Sequence, residues 1–261
     1  MRLTLACCIA IALTFFTTGC NGHTTKEDDI SLKANNLKLE VIAFKHGQEV
    51  VSRVYVEENG ERIPYLVLTD DYNGDCLLLR EYLLGEPKRF NPTGWYAAYY
   101  ENSEIDLVLN SEFYETLPQT VRDRIINSTI EITAKKSLGI GGKDSIYISR
   151  KIFLLSYFEV NGNGSRTNLK EGTTLEYFSD KVSRIAFYSS GKAGSWWLRT
   201  PNTADTDIVC GVSIDGTVGV GGIGGTEGEY VNGLRPAFCL PRDTSITREH
   251  INGEIVYVLS L

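Results

Sequence analysis

The 261-residue sequence points to an α+β fold, largely antiparallel sheet with short inserted helices and a glycine-rich loop or hairpin near its C-terminus. Three observations lead there. Asn59-Gly60 and Asn73-Gly74 each join two β-rich runs, and Asn-Gly in that setting is the strongest short-range hairpin signal. Two short stretches, one after Ser103 and one after Thr116, carry helical spacing instead. From Ser195 onward the chain reads as strands and tight turns.

The elements follow in order. Met1-Arg2 precedes an apolar run from Leu3 to Phe16 and then Thr17-Thr18-Gly19-Cys20, which reads as a signal peptide over 1–19. The run is short of the roughly 18 apolar residues that a membrane helix needs. Its ending resembles a bacterial lipobox, with Thr17 in place of the usual leucine. That resemblance implies that Cys20 is acylated, palmitate being one such chain, and becomes the first mature residue. Burial at roughly 0.8 kcal/mol per methylene would make several chains a permanent membrane anchor. A plain secretory signal and an uncleaved anchor are the alternatives. Residues 21–36 are polar and poor in aromatics and read as a tether, so the expected domain boundaries are 20–36 for lipidated cysteine and tether and 37–245 for one globular domain. A C-terminal hairpin, 246–261, is expected to pack on it.

Within the domain, the meander runs Val50 to Glu57, Arg62 to Thr69 and Cys76 to Tyr82. A loop rich in aromatics follows, Phe90 to Tyr100. The first helix starts near Ser103, where Ser103 and Asp106 resemble a capping pair and Ile105, Val108 and Leu109 share a face. The second starts at Pro118, with Thr116 as its expected cap and Val121 and Ile125 facing inward. Lys151 to Phe158 reads as a buried strand, Asn161 to Asn168 as a polar loop, and Leu175 to Phe187 as a short helical segment. The last hairpin turns at Asn252-Gly253. Gly219 to Gly224 fits GxGxxG, but Gly225-Thr226-Glu227-Gly228 follows in place of the amphipathic helix that a dinucleotide site requires, so the stretch between Val218 and Tyr230 is expected to be a loop or irregular hairpin.

Composition narrows the function classes. The formal net charge is −7 and there is no polybasic stretch, which argues against nucleic acid as a partner. Cys76, Cys210 and Cys239 remain once the signal and Cys20 are set aside. A Cys210–Cys239 disulfide is one reading, and three small buried thiols are the favoured one. The 3 histidines are scattered and no Cys-x-x-Cys occurs, so neither a metal nor another cofactor is expected.

Several segments together resemble a bacterial family known only as a domain of unknown function, whose members carry WWLRSP-like and GVRPAL-like signatures. They are Tyr65 to Leu68, Cys76 to Arg80, Tyr100 to Phe113, Lys151 to Ser156, Trp196-Trp197-Leu198-Arg199-Thr200-Pro201, and Leu234-Arg235-Pro236-Ala237-Phe238. The resemblance covers roughly 50 to 241, with Thr200 where the family usually has serine. The family in turn looks like the C-type-lectin-like fold of formylglycine-generating, or sulfatase-modifying, enzymes and of certain variable ligand-displaying proteins. Function does not travel with a fold.

The expected function is therefore non-enzymatic. It is a lipoprotein of the cell envelope that presents a domain, outside the cytoplasm, for a glycan or protein ligand. Trp95, Tyr96, Tyr99, Tyr100 and Tyr230 are the candidate ligand contacts, with the glycine-rich loop as a wall. Trp196, Trp197, Arg199, Arg235 and Pro236 are read as structural, the arginines bracing backbone carbonyls or buried carboxylates. The alternatives are a structural or assembly role without a small ligand and, lower, a formylglycine-generating-type oxidoreductase or a glycosidase whose carboxylate pair sequence alone does not show.

Overall fold

A computed structural model describes residues 37–48, 50–92, 94, 96–162, 170–219, 231–251 and 254–261. The signal and tether readings, Cys20, Trp95, Tyr230 and most of the glycine-rich stretch lie outside the described residues. Within them the fold is mixed α+β, mostly antiparallel, and no helix is long and apolar enough to cross a membrane.

Both Asn-Gly turns form as two-residue hairpin loops. β2 (Arg53–Glu58) returns as β3 (Glu61–Tyr72), which returns as β4 (Asp75–Arg80), with Glu58 opposite Glu61 and Tyr72 opposite Asp75. Asn59, Gly60, Asn73 and Gly74 all have positive φ (50°, 84°, 56° and 92°), the conformation whose twist suits a tight hairpin.

This meander sits inside a seven-stranded sheet completed by β1 (Leu37–Lys38), β14 (Ala237–Leu240), β15 (Ser245–Ile251) and β16 (Glu254–Leu259), in the order β1-β15-β16-β2-β3-β4-β14. The C-terminal hairpin therefore supplies two of its strands, and β16 runs parallel to β2. A second sheet has the order β12-β11-β10-β13-β5, from β5 (Leu84–Lys88), β10 (Trp196–Pro201), β11 (Val209–Val212), β12 (Val218–Gly219) and β13 (Asn232–Leu234). Two small hairpins flank these sheets: β6 (Ser128–Thr133) with β7 (Ser145–Arg150), and β8 (Ala186–Phe187) with β9 (Ala193–Gly194). One contiguous core joins both sheets.

Helix α1 (Glu104–Val108) begins as expected, the Ser103 hydroxyl accepting from the Asp106 N–H at 3.1 Å. It continues through a π-turn (Leu109–Phe113) and one further turn (Tyr114–Thr116), burying Ile105, Leu109 and Phe113 while Val108 stays half-buried. For α2 (Gln119–Arg122) the expected cap is corrected. Pro118 occupies the cap position, and the Thr116 hydroxyl donates to the Phe113 carbonyl instead, because Thr116 ends the preceding helix.

A second correction concerns Lys151 to Phe158. Only Phe153 makes a strand-like bridge, to Ala237, and the segment turns at Ser156 into α3 (Tyr157–Asn161). Ser156 and Glu159 form a reciprocal capping box, which satisfies the amides that a strand would have sent to a neighbour. Leu175 to Phe187 resolves into two 3-10 turns, Glu176–Phe178 and Val182–Arg184, before β8.

Candidate functional site

The signature residues occupy the centre of the molecule. β10 lies between β11 and β13, so all six of its residues are buried. The Trp196 indole donates to the Arg184 carbonyl at 3.0 Å and the Trp197 indole to the Lys88 carbonyl at 2.8 Å. Arg199 is 0% exposed and forks onto Glu159, with Nη1–Oε2 at 2.7 Å and Nη2–Oε1 at 2.9 Å. Its other donors reach the Leu154 and Glu131 carbonyls. Burial, the largest single effect, lowers its pKa, but the charge and hydrogen bonds of Glu159 together with Tyr72 and Glu171 outweigh it and hold the guanidinium charged.

Around this pair the polar groups close on one another. Glu159 also accepts from the Tyr72 hydroxyl at 2.7 Å and the Ser156 N–H at 2.7 Å. Glu171, fully buried, accepts from the Thr133 N–H and hydroxyl, both at 2.6 Å, and from the Thr200 hydroxyl. Burial still raises its pKa, against the opposing pull of Arg199 and these donors. The chain thus holds two carboxylates, Glu159 and Glu171, whose proximity its sequence does not reveal and which are both 0% exposed.

Arg235 behaves differently. It is 2% exposed, its Nε donates to the Arg80 carbonyl at 3.0 Å, and its guanidinium lies 5.3 Å from the Trp196 ring centroid. Nη1 has no hydrogen-bond partner, and burial lowers the pKa to about 10. Pro236 gives its carbonyl to the Arg80 N–H at 2.9 Å, tying the second signature to β4.

The cysteines require one correction. Cys76, Cys210 and Cys239 are free and buried. Cys210 sits in β11 and Cys239 in β14, strands of different sheets, so the Cys210–Cys239 bridge is not made. Burial lifts the Cys210 thiol far above its ordinary range and the Cys76 and Cys239 thiols to about 12. Among the described residues, no three His, Cys, Asp or Glu side chains gather in a way that could hold a metal ion.

Of the candidate aromatics, Tyr96 and Tyr99 are half-buried and share one cation. Lys135 Nζ lies 5.2 Å from the Tyr96 ring centroid and 5.8 Å from that of Tyr99. Tyr100 is a correction: it is 1% exposed and its hydroxyl accepts from the Leu154 N–H at 3.2 Å, because its ring fills the core against Phe90. It is not a surface contact.

A cleft of about 610 Å³ opens instead between the β5 edge strand and the β8–β9 hairpin. The hairpin turn is closed by Tyr188 N–H to the Lys192 carbonyl and Gly191 N–H to the Tyr188 carbonyl, both at 2.9 Å, with Gly191 at φ 82°. Tyr188 lies so close to Gly194 that a Cβ there would stand 2.6 Å from its ring. Partial burial raises the Tyr188 pKa, and the nearby Glu86 carboxylate adds to this. On the far wall the Ser195 hydroxyl donates to Asn232 Oδ1 at 2.6 Å. Glu86 and Lys192 bring one charge of each sign, Ser189 and Ser190 bring hydroxyls, and Ile214 and Val231 bring exposed apolar surface. Such a surface suits a polar, uncharged ligand with one apolar face.

The family model described as a domain of unknown function, DUF6273, matches residues 73–242. The chain belongs to this family. The DUF6273 segment contains both signatures, the cleft and α1, α2 and α3, while β1, β2, β3, β15 and β16 lie outside it, so that Tyr72 reaches Glu159 from just beyond its boundary. No curated protein and no solved structure gives a match.

The sequence carried no signal for the cleft residues. Glu86 lies in the short strand β5, and Tyr188, Ser190 and Lys192 in the β8–β9 turn, all without a motif. Glu159 was legible in principle, since Ser156-x-x-Glu159 is a capping-box spacing.

Proposed function

We propose that this chain is a lipid-anchored bacterial envelope protein whose C-type-lectin-like domain binds a ligand of the glycan class, or failing that a protein surface, without transforming it. The observation that supports this most is the open cleft beside Tyr188. It is large enough for a sugar ring or two, carries balanced charge from Glu86 and Lys192, and pairs hydroxyls with exposed apolar surface. An aromatic ring, here Tyr188, beside hydroxyls and an amide suits a sugar face and its rim of hydroxyls. The reading of Cys20 as an acylated anchor, from the lipobox-like Thr17-Thr18-Gly19-Cys20, puts that cleft outside the cytoplasm.

The test has two arms. Acylated protein in detergent is incubated with an array of host glycans and cell-wall fragments, in calcium and in EDTA, beside Tyr188→Ala. Saturable binding lost in the variant supports the reading, and a clean negative from folded protein moves the weight to a structural role. In cells, Cys20→Ser should shift the protein from the membrane to the soluble fraction; retention in the membrane would contradict the anchor.

A further inference from the structure

We infer that a second cleft, where α1 and its continuation meet the start of β6 and the end of β7, binds a small monoanion: a carboxylate on a hydroxyl-rich body, such as an acidic sugar. It has a volume of about 410 Å³, within the range of roughly 300 to 1,000 Å³ typical of small-molecule sites. Its character differs from that of the cleft beside Tyr188 because its lining residues carry two cations, Arg150 and Lys151, against one carboxylate, Asp106.

The imbalance comes from Lys151. Arg150 is neutralised, forking onto the buried Asp106 with Nε–Oδ1 at 2.8 Å and Nη2–Oδ2 at 2.8 Å. Glu101 lies near Arg150, and its carboxylate accepts from the Tyr99 hydroxyl at 2.7 Å. Lys151 is half-buried and makes no ion pair among the described residues. Its ammonium lies 4.8 Å from the Tyr114 ring centroid and donates to the Tyr114 hydroxyl at 2.5 Å and the Arg122 carbonyl at 3.4 Å. Those neutral acceptors engage two of three N–H groups, and the third is free for the cleft that Lys151 lines.

The rest of the wall suits a hydroxylated carboxylate. The side chains of Asn102, Asn127 and Ser149 line the cleft and make no hydrogen bond with another described residue, so amide and hydroxyl groups stand ready around one uncompensated positive charge. On a chain of net charge −7, a single local excess of positive charge selects for a monoanion and gives a polyanion little purchase.

The test is isothermal titration of the full acylated chain in detergent with D-glucuronate, D-galacturonate and N-acetylneuraminate, against D-glucose and N-acetylglucosamine. At least one acid should bind saturably and neither neutral sugar should do so in this cleft. Lys151→Met should weaken the acid at least about tenfold. Because Lys151 also braces the end of α2, Asn127→Ala and Ser149→Ala provide the check: both should weaken the acid severalfold at unchanged melting temperature. Tyr188→Ala should leave acid binding intact, which separates this site from the one proposed above. Failure of all three acids to bind, or wild-type affinity in Lys151→Met, overturns the inference.

Discussion

Arg199 and Arg235 are both buried arginines of the two signatures, yet their surroundings set different consequences for removing them. Arg199 faces Glu159, so Arg199→Ala would strand a carboxylate in the core, at a cost of roughly 3–5 kcal/mol. For a domain of this size that is a fall of about 6 to 20 °C in melting temperature, read by calorimetry. A variant that melts like wild type would contradict the structural role. Glu171 gives a prediction with a sign. Its folded-state pKa is raised above the ordinary 4.5, so the folded state holds a proton that the unfolded chain releases as pH rises. Stability from this group is present below the unfolded value and is lost as pH climbs through the folded one. Glu171→Gln keeps an acceptor for Thr133 and should remove that loss, so urea midpoints taken across pH should diverge in its favour toward neutral pH. A Glu171→Gln curve parallel to wild type would count against it. Residue chemistry was partly legible in the sequence, since two arginines beside tryptophans and proline point to bracing. The carboxylate partners of β10 were not, because Glu159 lies 40 residues from Arg199 and Glu171 lies 29 from Thr200, and each pair comes together only through the fold.

At the level of elements, the sequence was most informative where local chemistry decides the backbone. Asn-Gly needs positive φ at both positions and obtains it in both hairpins. It misled at Thr116 and over Lys151 to Phe158, where an apolar run of strand length turned out to be one bridge and a helix start. Periodicity cannot separate a short buried strand from buried chain of another kind. Two substitutions distinguish the caps. Ser156→Ala removes the acceptor of the Glu159 N–H and a donor to the Glu171 carbonyl, both buried, and should cost about 1 to 3 kcal/mol. Thr116→Ala, which caps nothing, should cost about 0.5 kcal/mol or less. Equal losses in denaturant unfolding would reverse the assignment.

For the whole molecule, the terminal hairpin matters more than its position in sequence suggested. β15 pairs with β1 and β16 with β2, so the hairpin joins β1 to the meander through its two outer edges. Deleting residues 246–261 exposes the β2 edge and removes Ile246 and Val256 from the interior. The truncated chain should lose cooperative unfolding or be recovered as aggregate, and a sharp wild-type transition would show the hairpin to be dispensable. The class of fold was readable from turns and helix starts, whereas the two-sheet arrangement was not, because parallel contacts such as β16 with β2 and β10 with β13 join segments far apart in sequence. The clefts escaped sequence reasoning for the same reason: their walls combine helix, strand and turn residues far apart in sequence.

The central claim is that ligand is held between the β5 edge and the β8–β9 hairpin. Hydrogen exchange of the acylated chain with and without a saturating array-selected glycan tests it most directly. Slowed exchange confined to residues 85–88 and 188–195 is the expected result. Saturable binding that leaves both segments unchanged would contradict it.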